Sequence, residues 1–228
     1  MKITQLRDVT LDRAANRPAI WFEGRWYDWG WMSRVAGEVD RRLEEAGVGA
    51  DDPIGFIPHN RPEFAAALLA ILSSGRHLVM IYAYQSQESM ARRIADLRLP
   101  VVIAGEGDWG PPTVAGCRDA GAFGLALAPD GSISVVGAPT VDRDRDHARA
   151  PEARGVAMLT SGTTGPPKHF EIDYERFMRS MISESTVTAV STEPLPALHY
   201  FPFGNIAGLY TFLPSVIADA PIIMFEKF

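Results

Sequence analysis

From Pro53 to Gly105 the chain alternates short, uninterrupted apolar runs with segments of helical periodicity, and this alternation restricts its fold more than any other feature. The runs are PIGFI (Pro53–Ile57), HLVMIYA (His77–Ala83) and PVVIAG (Pro100–Gly105); helical patterns run between them, from about Pro62 to Ser74 and from about Gln87 to Leu97. A strand with one wet face alternates polar and apolar residues. These runs do not alternate, so both of their faces are buried, and buried strands joined through helices form a parallel sheet. The chain is therefore read as α/β, built mainly of parallel sheets flanked by helices. Pro62 suits a first helical turn, and Asn60 just before it is read as a capping residue.

Hairpins flank this core. AIWFEGRWYDW (Ala19–Trp29) places two aromatic-rich runs around Glu23-Gly24, where glycine supplies the positive φ of a tight turn. Asp28 is then placed to cap a helix over Trp29–Ala46, and Gly47 stands at its C-terminal stop. Trp21, Trp26, Trp29 and Trp31 fit strand or helix spacing and are read as packing residues. A second hairpin turns at Asp130-Gly131. The segment after it, Ala138–Arg154, alternates charges without apolar periodicity and is read as a solvated connection. The expected organisation is a first α/β unit over 1–136, a charged linker over 137–154, and the start of a second unit over 155–228. In the second unit strands are expected in GVAML, HFEID, LHYFP and APIIMFEKF, with helices from Tyr174 and over Ile206–Ile217.

Composition removes several function classes. The 228 residues are 46% hydrophobic and 22% charged, as in soluble globular proteins. A net charge of −6 without a Lys/Arg cluster argues against a nucleic-acid partner. Cys117, the single cysteine, allows no intrachain disulfide and no multi-cysteine zinc cage, and is read as an ordinary thiol. The longest apolar run, FAAALLAIL (Phe64–Leu72), is too short to span a bilayer, and MKITQLRD lacks a signal-peptide core, so a cytoplasmic location is expected.

Chemistry concentrates in LTSGTTGPPKHF (Leu159–Phe170). Gly162 and Gly165 let successive backbone N–H groups converge, while Thr160, Ser161, Thr163 and Thr164 add hydroxyl donors. Pro166 and Pro167 carry no N–H and stiffen the exit toward Lys168, whose charge suits a phosphate oxygen. A Walker A loop is excluded by spacing, because no glycine precedes Lys168 and His169 follows it. Context excludes it too: HFEID alternates like a strand, whereas a P-loop opens into a helix. Composition alone leaves a Gly/Thr-rich hairpin turn and a phosphate cradle equally open.

The string Thr160-Ser161-Gly162-Thr163-Thr164-Gly165-Pro166-Pro167-Lys168 resembles, throughout, the [ST]-[ST]-G-[ST]-T-G-x-P-K signature of the adenylate-forming superfamily of acyl-CoA synthetases, luciferases and peptide-synthetase adenylation domains. Two further blocks lie in the order of that family. Arg17–Gly75 is similar to its N-terminal region, with Asn60-Arg61-Pro62-Glu63-Phe64 as an N-x-x-E-F motif. Tyr200–Phe228 is similar to its P-L-x-H-x-x-G segment. The resemblance implies an acyl-CoA synthetase-like N-terminal region, truncated, and a cofactor site at Thr160, Ser161, Gly162, Thr163, Thr164, Gly165 and Lys168. In the family the loop grips the β- and γ-phosphates of ATP, with Mg²⁺, while a carboxylate attacks the α-phosphate. Coenzyme A commonly takes the acyl group next.

With Pro202 and Gly208 aligned on the proline and glycine of the family segment, Asn205 stands where the family usually holds a histidine; Asn205 and Gly208 are the expected substrate-binding positions. Tyr200, Phe201 and Phe203 suit an apolar carboxylic acid. His199, His59 and His169 are isolated in sequence and are not expected to ligate a metal. The adenine, ribose and metal-binding motifs and the catalytic-lysine domain of the family would follow Phe228, so no catalytic residue is assigned. The 228 residues alone are expected to be inactive and to self-associate through apolar surfaces. A degenerate homologue acting as a non-catalytic binding module is the alternative.

Overall fold

The computed structural model describes residues 1–160, 168–181 and 195–226; for Leu159, Thr160, Lys168 and His169 it describes the backbone alone. The aromatic hairpin forms as its sequence requires: β1 (Pro18–Phe22) and β2 (Arg25–Asp28) are antiparallel, and both turn residues take positive φ, 45° at Glu23 and 87° at Gly24. After the four-residue α1 (Leu6–Val9) the first long helix is α2 (Trp29–Glu45). The Asp28 side chain caps it by accepting the Trp31 N–H at 2.7 Å. At its other end Gly47 takes φ 71°, its N–H bonds to Glu44 O, and the Val48 N–H bonds to Leu43 O, which satisfies two carbonyls the helix leaves orphaned.

A seven-stranded sheet carries the alternating runs. Its strands are β3 (Ile54–Phe56), β4 (Leu78–Met80), β5 (Val101–Gly105), β6 (Phe123–Leu127), β7 (Ile133–Gly137), β8 (Gly155–Thr160) and β9 (Lys168–Asp173), in the order β7-β6-β5-β3-β4-β8-β9. The inner five are parallel, and β7 and β9 are antiparallel edges. Helix α3 (Pro62–Ser73) covers one face, where Phe64 and Leu68 join Phe56, Val101 and Ile103. Helices α4 (Gln87–Asp96) and α5 (Pro111–Asp119) cover the other, where Met90, Ile94 and Cys117 join Val102 and Ala104. Every residue of α3 is buried. Phe64, Leu68, Leu69, Ile71 and Leu72 together contribute on the order of 10 kcal/mol of apolar transfer, before the cost of ordering the helix.

A four-stranded sheet has the order β10-β11-β1-β2, with β10 (Ala197–His199) and β11 (Ile222–Met224) parallel to each other and to β1. Helix α6 (Tyr174–Met181) follows β9, and α7 (Ile206–Ile217) links β10 to β11. Arg13 ties the N-terminal segment to the end of α7 through Val216 O at 2.6 Å, Ile217 O at 3.1 Å and the Asp219 carboxylate at 3.0 Å. Both sheets draw strands from both sides of the charged segment 137–154. The units 1–136 and 155–228 therefore share hydrogen-bonded sheets. No described helix is long and apolar enough to cross a membrane.

Candidate functional site

The loop 161–167 joins two strands in register. Thr160, the last residue of β8, pairs with Lys168, the first of β9, across an antiparallel ladder that runs back to Gly155 and Asp173. The strand, loop, strand arrangement read from HFEID is thus present, and the loop leaves the carboxyl end of a strand in a parallel sheet, the end at which such sheets bind ligands. Thr160 and Lys168 are brought together by their backbones. Ser161, Gly162, Thr163, Thr164 and Gly165 lie outside the described residues.

The segment after β10 also begins at a carboxyl strand end. Asn205 is the N-cap of α7, its Oδ1 accepting the Gly208 N–H at 2.9 Å. Gly208 is fixed by proximity: a Cβ there would stand 2.1 Å from Pro202 O. His199 is 1% exposed, stacked on Phe203 at 4.6 Å with Thr211 Oγ1 at 3.3 Å from Nδ1, while its Nε2 has no partner among the described residues. Burial pushes its pKa down to about 4, so the ring is neutral near pH 7. That environment matches the structural role read for it.

Asn60 does something its place in the sequence does not announce. The N-cap of α3 is Arg61, without a side-chain cap bond, so the capping role read for Asn60 is corrected. Its amide, 1% exposed, is spent on the other sheet's connections: Nδ2 donates to Phe201 O at 3.0 Å and Phe225 O at 3.3 Å, and Oδ1 accepts the Phe203 N–H at 3.0 Å. One side chain at the end of β3 therefore positions the backbone that leads to Asn205. The N-x-x-E-F motif was the signal; its partners, 141 to 165 residues away, were not visible in it.

Next to Asn60, His59 Nε2 lies 3.0 and 3.1 Å from the two oxygens of Asp108, whose Oδ2 also accepts the Gly105 N–H at 3.0 Å. This pair, missed in the sequence, sits where β3 leads to α3 on one face and its neighbour β5 leads to α5 on the other, a topological switch point. A cavity of about 360 Å³ opens beside it. Its wall sets Arg61 against Glu63, Glu106, Asp108 and Glu226, a lining unsuited to a phosphate chain. Burial, with Glu226 adding to it, holds the Glu63 carboxyl above the usual range against Arg61. Among the described residues no three His, Cys, Asp or Glu side chains converge as metal ligands. Burial also pushes the Cys117 thiol up to about 12, which suits an inert core residue.

Comparison with known proteins adds a family. A family model described as AMP-binding enzyme matches residues 8–228. Surfactin synthase subunit 1 of Bacillus subtilis is 24% identical over 228 residues, covering 99% of this chain and 6% of that protein. Among solved structures, ATP-bound MatB from Rhodopseudomonas palustris superposes with a TM-score of 0.74 at 19% identity, over 100% of this chain and 46% of that one. O-succinylbenzoate coenzyme A synthetase (MenE) from Bacillus subtilis, in complex with ATP and magnesium ion, superposes with a TM-score of 0.67 at 15% identity, over 99% of this chain and 57% of that one. The chain thus spans about half the length of these solved structures.

Proposed function

Because the chain belongs to the family of AMP-binding enzymes, whose model matches residues 8–228, we propose that it is the N-terminal portion of an ATP-dependent carboxylate-activating ligase. The observation that carries this reading is the Thr160–Lys168 pairing, which closes the S-G-T-T-G-P-P loop at the carboxyl end of the sheet. In this proposal Thr160, Ser161, Gly162, Thr163, Thr164, Gly165 and Lys168 hold the β- and γ-phosphates of ATP, and a carboxylate attacks the α-phosphate to give an acyl-adenylate and pyrophosphate. Positioning and charge neutralisation are the main demands of such in-line transfer. Mg²⁺ supplies further neutralisation when bound. A thiol, coenzyme A in the favoured form, then accepts the acyl group.

The carboxylic acid is proposed to be apolar. His199–Gly208 carries no acidic side chain, the Tyr200 and Phe201 rings lie 4.5 Å apart, and Tyr82, 46% exposed, lies close to Gly204. Asn205 and Gly208 shape that wall; Asn205 Oδ1 is engaged as a cap, so its amide nitrogen is the group left for a substrate oxygen.

The residues described here lack a metal-ligating cluster, and an exposed charge pair contributes about 0–1 kcal/mol against an association cost of several. Weak ATP binding and no turnover by the 228 residues alone are therefore expected. Equilibrium dialysis should show weak binding that Lys168→Ala weakens further; ATP binding indifferent to that change sinks the loop assignment. Carboxylate-dependent exchange of labelled pyrophosphate into ATP tests the reaction class, with the chain alone and with the C-terminal half of a relative supplied in trans. Exchange is expected only in the second case. Silence in both, across fatty and aromatic acids, favours the second reading, a non-catalytic binding module, toward which the engaged Asn205 already points.

A further inference from the structure

At the end of the seven-stranded sheet opposite to the loop 161–167, β4 and β8 begin beside a cavity of about 240 Å³. Its floor is a row in register across three strands: Val79 of β4 pairs with Ala157 of β8, and Ala157 with Glu171 of β9. Leu97 and Leu99, between α4 and β5, add an apolar wall.

His77, 4% exposed, lies two residues before Val79 and so on the same face of the strand. Its Nδ1 accepts the Gly155 N–H at 3.2 Å, which assigns the ring proton to Nε2. Burial lowers its pKa and keeps this neutral form. No hydrogen bond to Nε2 is formed among the described residues, and the Glu171 carboxylate acts on the ring, raising its pKa against the effect of burial, so a buried, fixed ring lines the cavity with its Nε2–H available.

The rim comes from the charged segment 137–154. The Ala148 N–H bonds to Arg98 O and the Ala150 N–H to Asp51 O, both at 2.8 Å. Arg149 is thereby held between two main-chain anchors. Arg149 and Glu171 both line the cavity, and neither forms an ion pair among the described residues.

We propose that this cavity binds a small α-amino acid with a short apolar side chain. Arg149 and the Nε2–H of His77 take its carboxylate, Glu171 takes its ammonium, and Val79, Leu99 and Ala157 pack against its side chain. The match is one of charge as well as size. A carboxylate without an ammonium leaves Glu171 facing a like charge, and an amine without a carboxylate leaves Arg149 unmatched. The volume lies below the roughly 300–1,000 Å³ of pockets for drug-sized ligands, so the occupant has few heavy atoms. The site lies at the opposite sheet end from the loop and does not depend on the carboxylate-activation reading.

The test is calorimetric titration and proton–nitrogen NMR of the 228-residue chain, without nucleotide, using L-valine, isovalerate and isobutylamine as probes. L-Valine is expected to bind saturably and to shift the His77 ring and Arg149 side-chain signals, with isovalerate and isobutylamine each at least about tenfold weaker. Arg149→Gln and Glu171→Gln, both at exposed positions, should each weaken L-valine by about tenfold or more. Ala157→Leu should abolish binding by filling the floor. Because that last variant touches a buried strand, its circular dichroism is compared with wild type, and the two surface variants decide the matter if it misfolds. No saturable L-valine binding, isovalerate matching L-valine, or either surface variant binding as wild type would overturn the proposal.

Discussion

A single buried amide holds the two sheets' connections together. Replacing Asn60 with Ala leaves the buried Phe203 N–H and the part-buried Phe201 carbonyl without the partners described above, and an orphaned buried group costs about 1–3 kcal/mol. Asn60→Ala is therefore expected to lower unfolding free energy by about 3 kcal/mol in urea titrations, with faster hydrogen exchange at the Phe203 amide. A loss below about 1 kcal/mol would show that water replaces the amide. His199 makes a prediction of opposite kind, because its cost appears only in acid. Its folded pKa of about 4 lies below the unfolded value of about 6.5, so the unfolded chain takes up the proton first. Stability from this group is complete above about pH 6.5 and is lost as pH falls toward 4, by about 2 kcal/mol between pH 7 and pH 5. His77, also lowered by burial, acts in the same direction. His199→Phe keeps the stacking on Phe203 and removes the unpartnered Nε2, so its pH profile should be flatter than wild type by that amount. Identical profiles would mean that water reaches the ring.

At the scale of elements, what the sequence displays is what neighbours in the chain decide. Asp28 and Gly47 bound α2 through contacts three to five residues away, and the Glu23-Gly24 and Asp130-Gly131 turns set their hairpins by local φ. The same locality made the Walker reading refutable, since alternation in HFEID is a property of five consecutive residues that lie within β9. Strand order is not local. Nothing near Ile222 states that it pairs with Ile20, and the motif residue Asn60 looked like a cap because a cap is the nearest use for an asparagine before a proline. Gly208 shows the two kinds of information meeting. It is a motif position in the sequence, and the structure adds that a Cβ there would lie 2.1 Å from Pro202 O and 3.0 Å from Phe203 Cα. Backbone atoms do not yield as a flexible side chain does. Gly208→Ala is expected to cost about 2–3 kcal/mol and to displace the N-terminus of α7, read by thermal unfolding and by the chemical shift of the backbone amide at that position. A cost within about 0.5 kcal/mol would mean that the glycine is not required by packing.

For the whole molecule, the four-stranded sheet is where association is decided. Among the described residues β10 has a neighbour on one side only, and Leu198 on it is 61% exposed, with Leu195 just before it at 86% and Tyr200 just after it at 39%. A short apolar edge with unpaired backbone groups invites strand addition, and no charged side chain on Ala197–His199 opposes it. The other edge strand, β2, carries Arg25 and Asp28 at its two ends, which disfavour the same pairing. The protein is therefore expected to associate reversibly as concentration rises, through β10. Sedimentation velocity across a concentration series should show growth of a larger species, and Leu198→Lys should suppress it. The substitution places a charge on a solvated position and needs no repacking, so its thermal unfolding should match wild type within about 0.5 kcal/mol. A strictly monomeric wild type, or association untouched by Leu198→Lys but abolished by a charge on β2, would place the interface elsewhere.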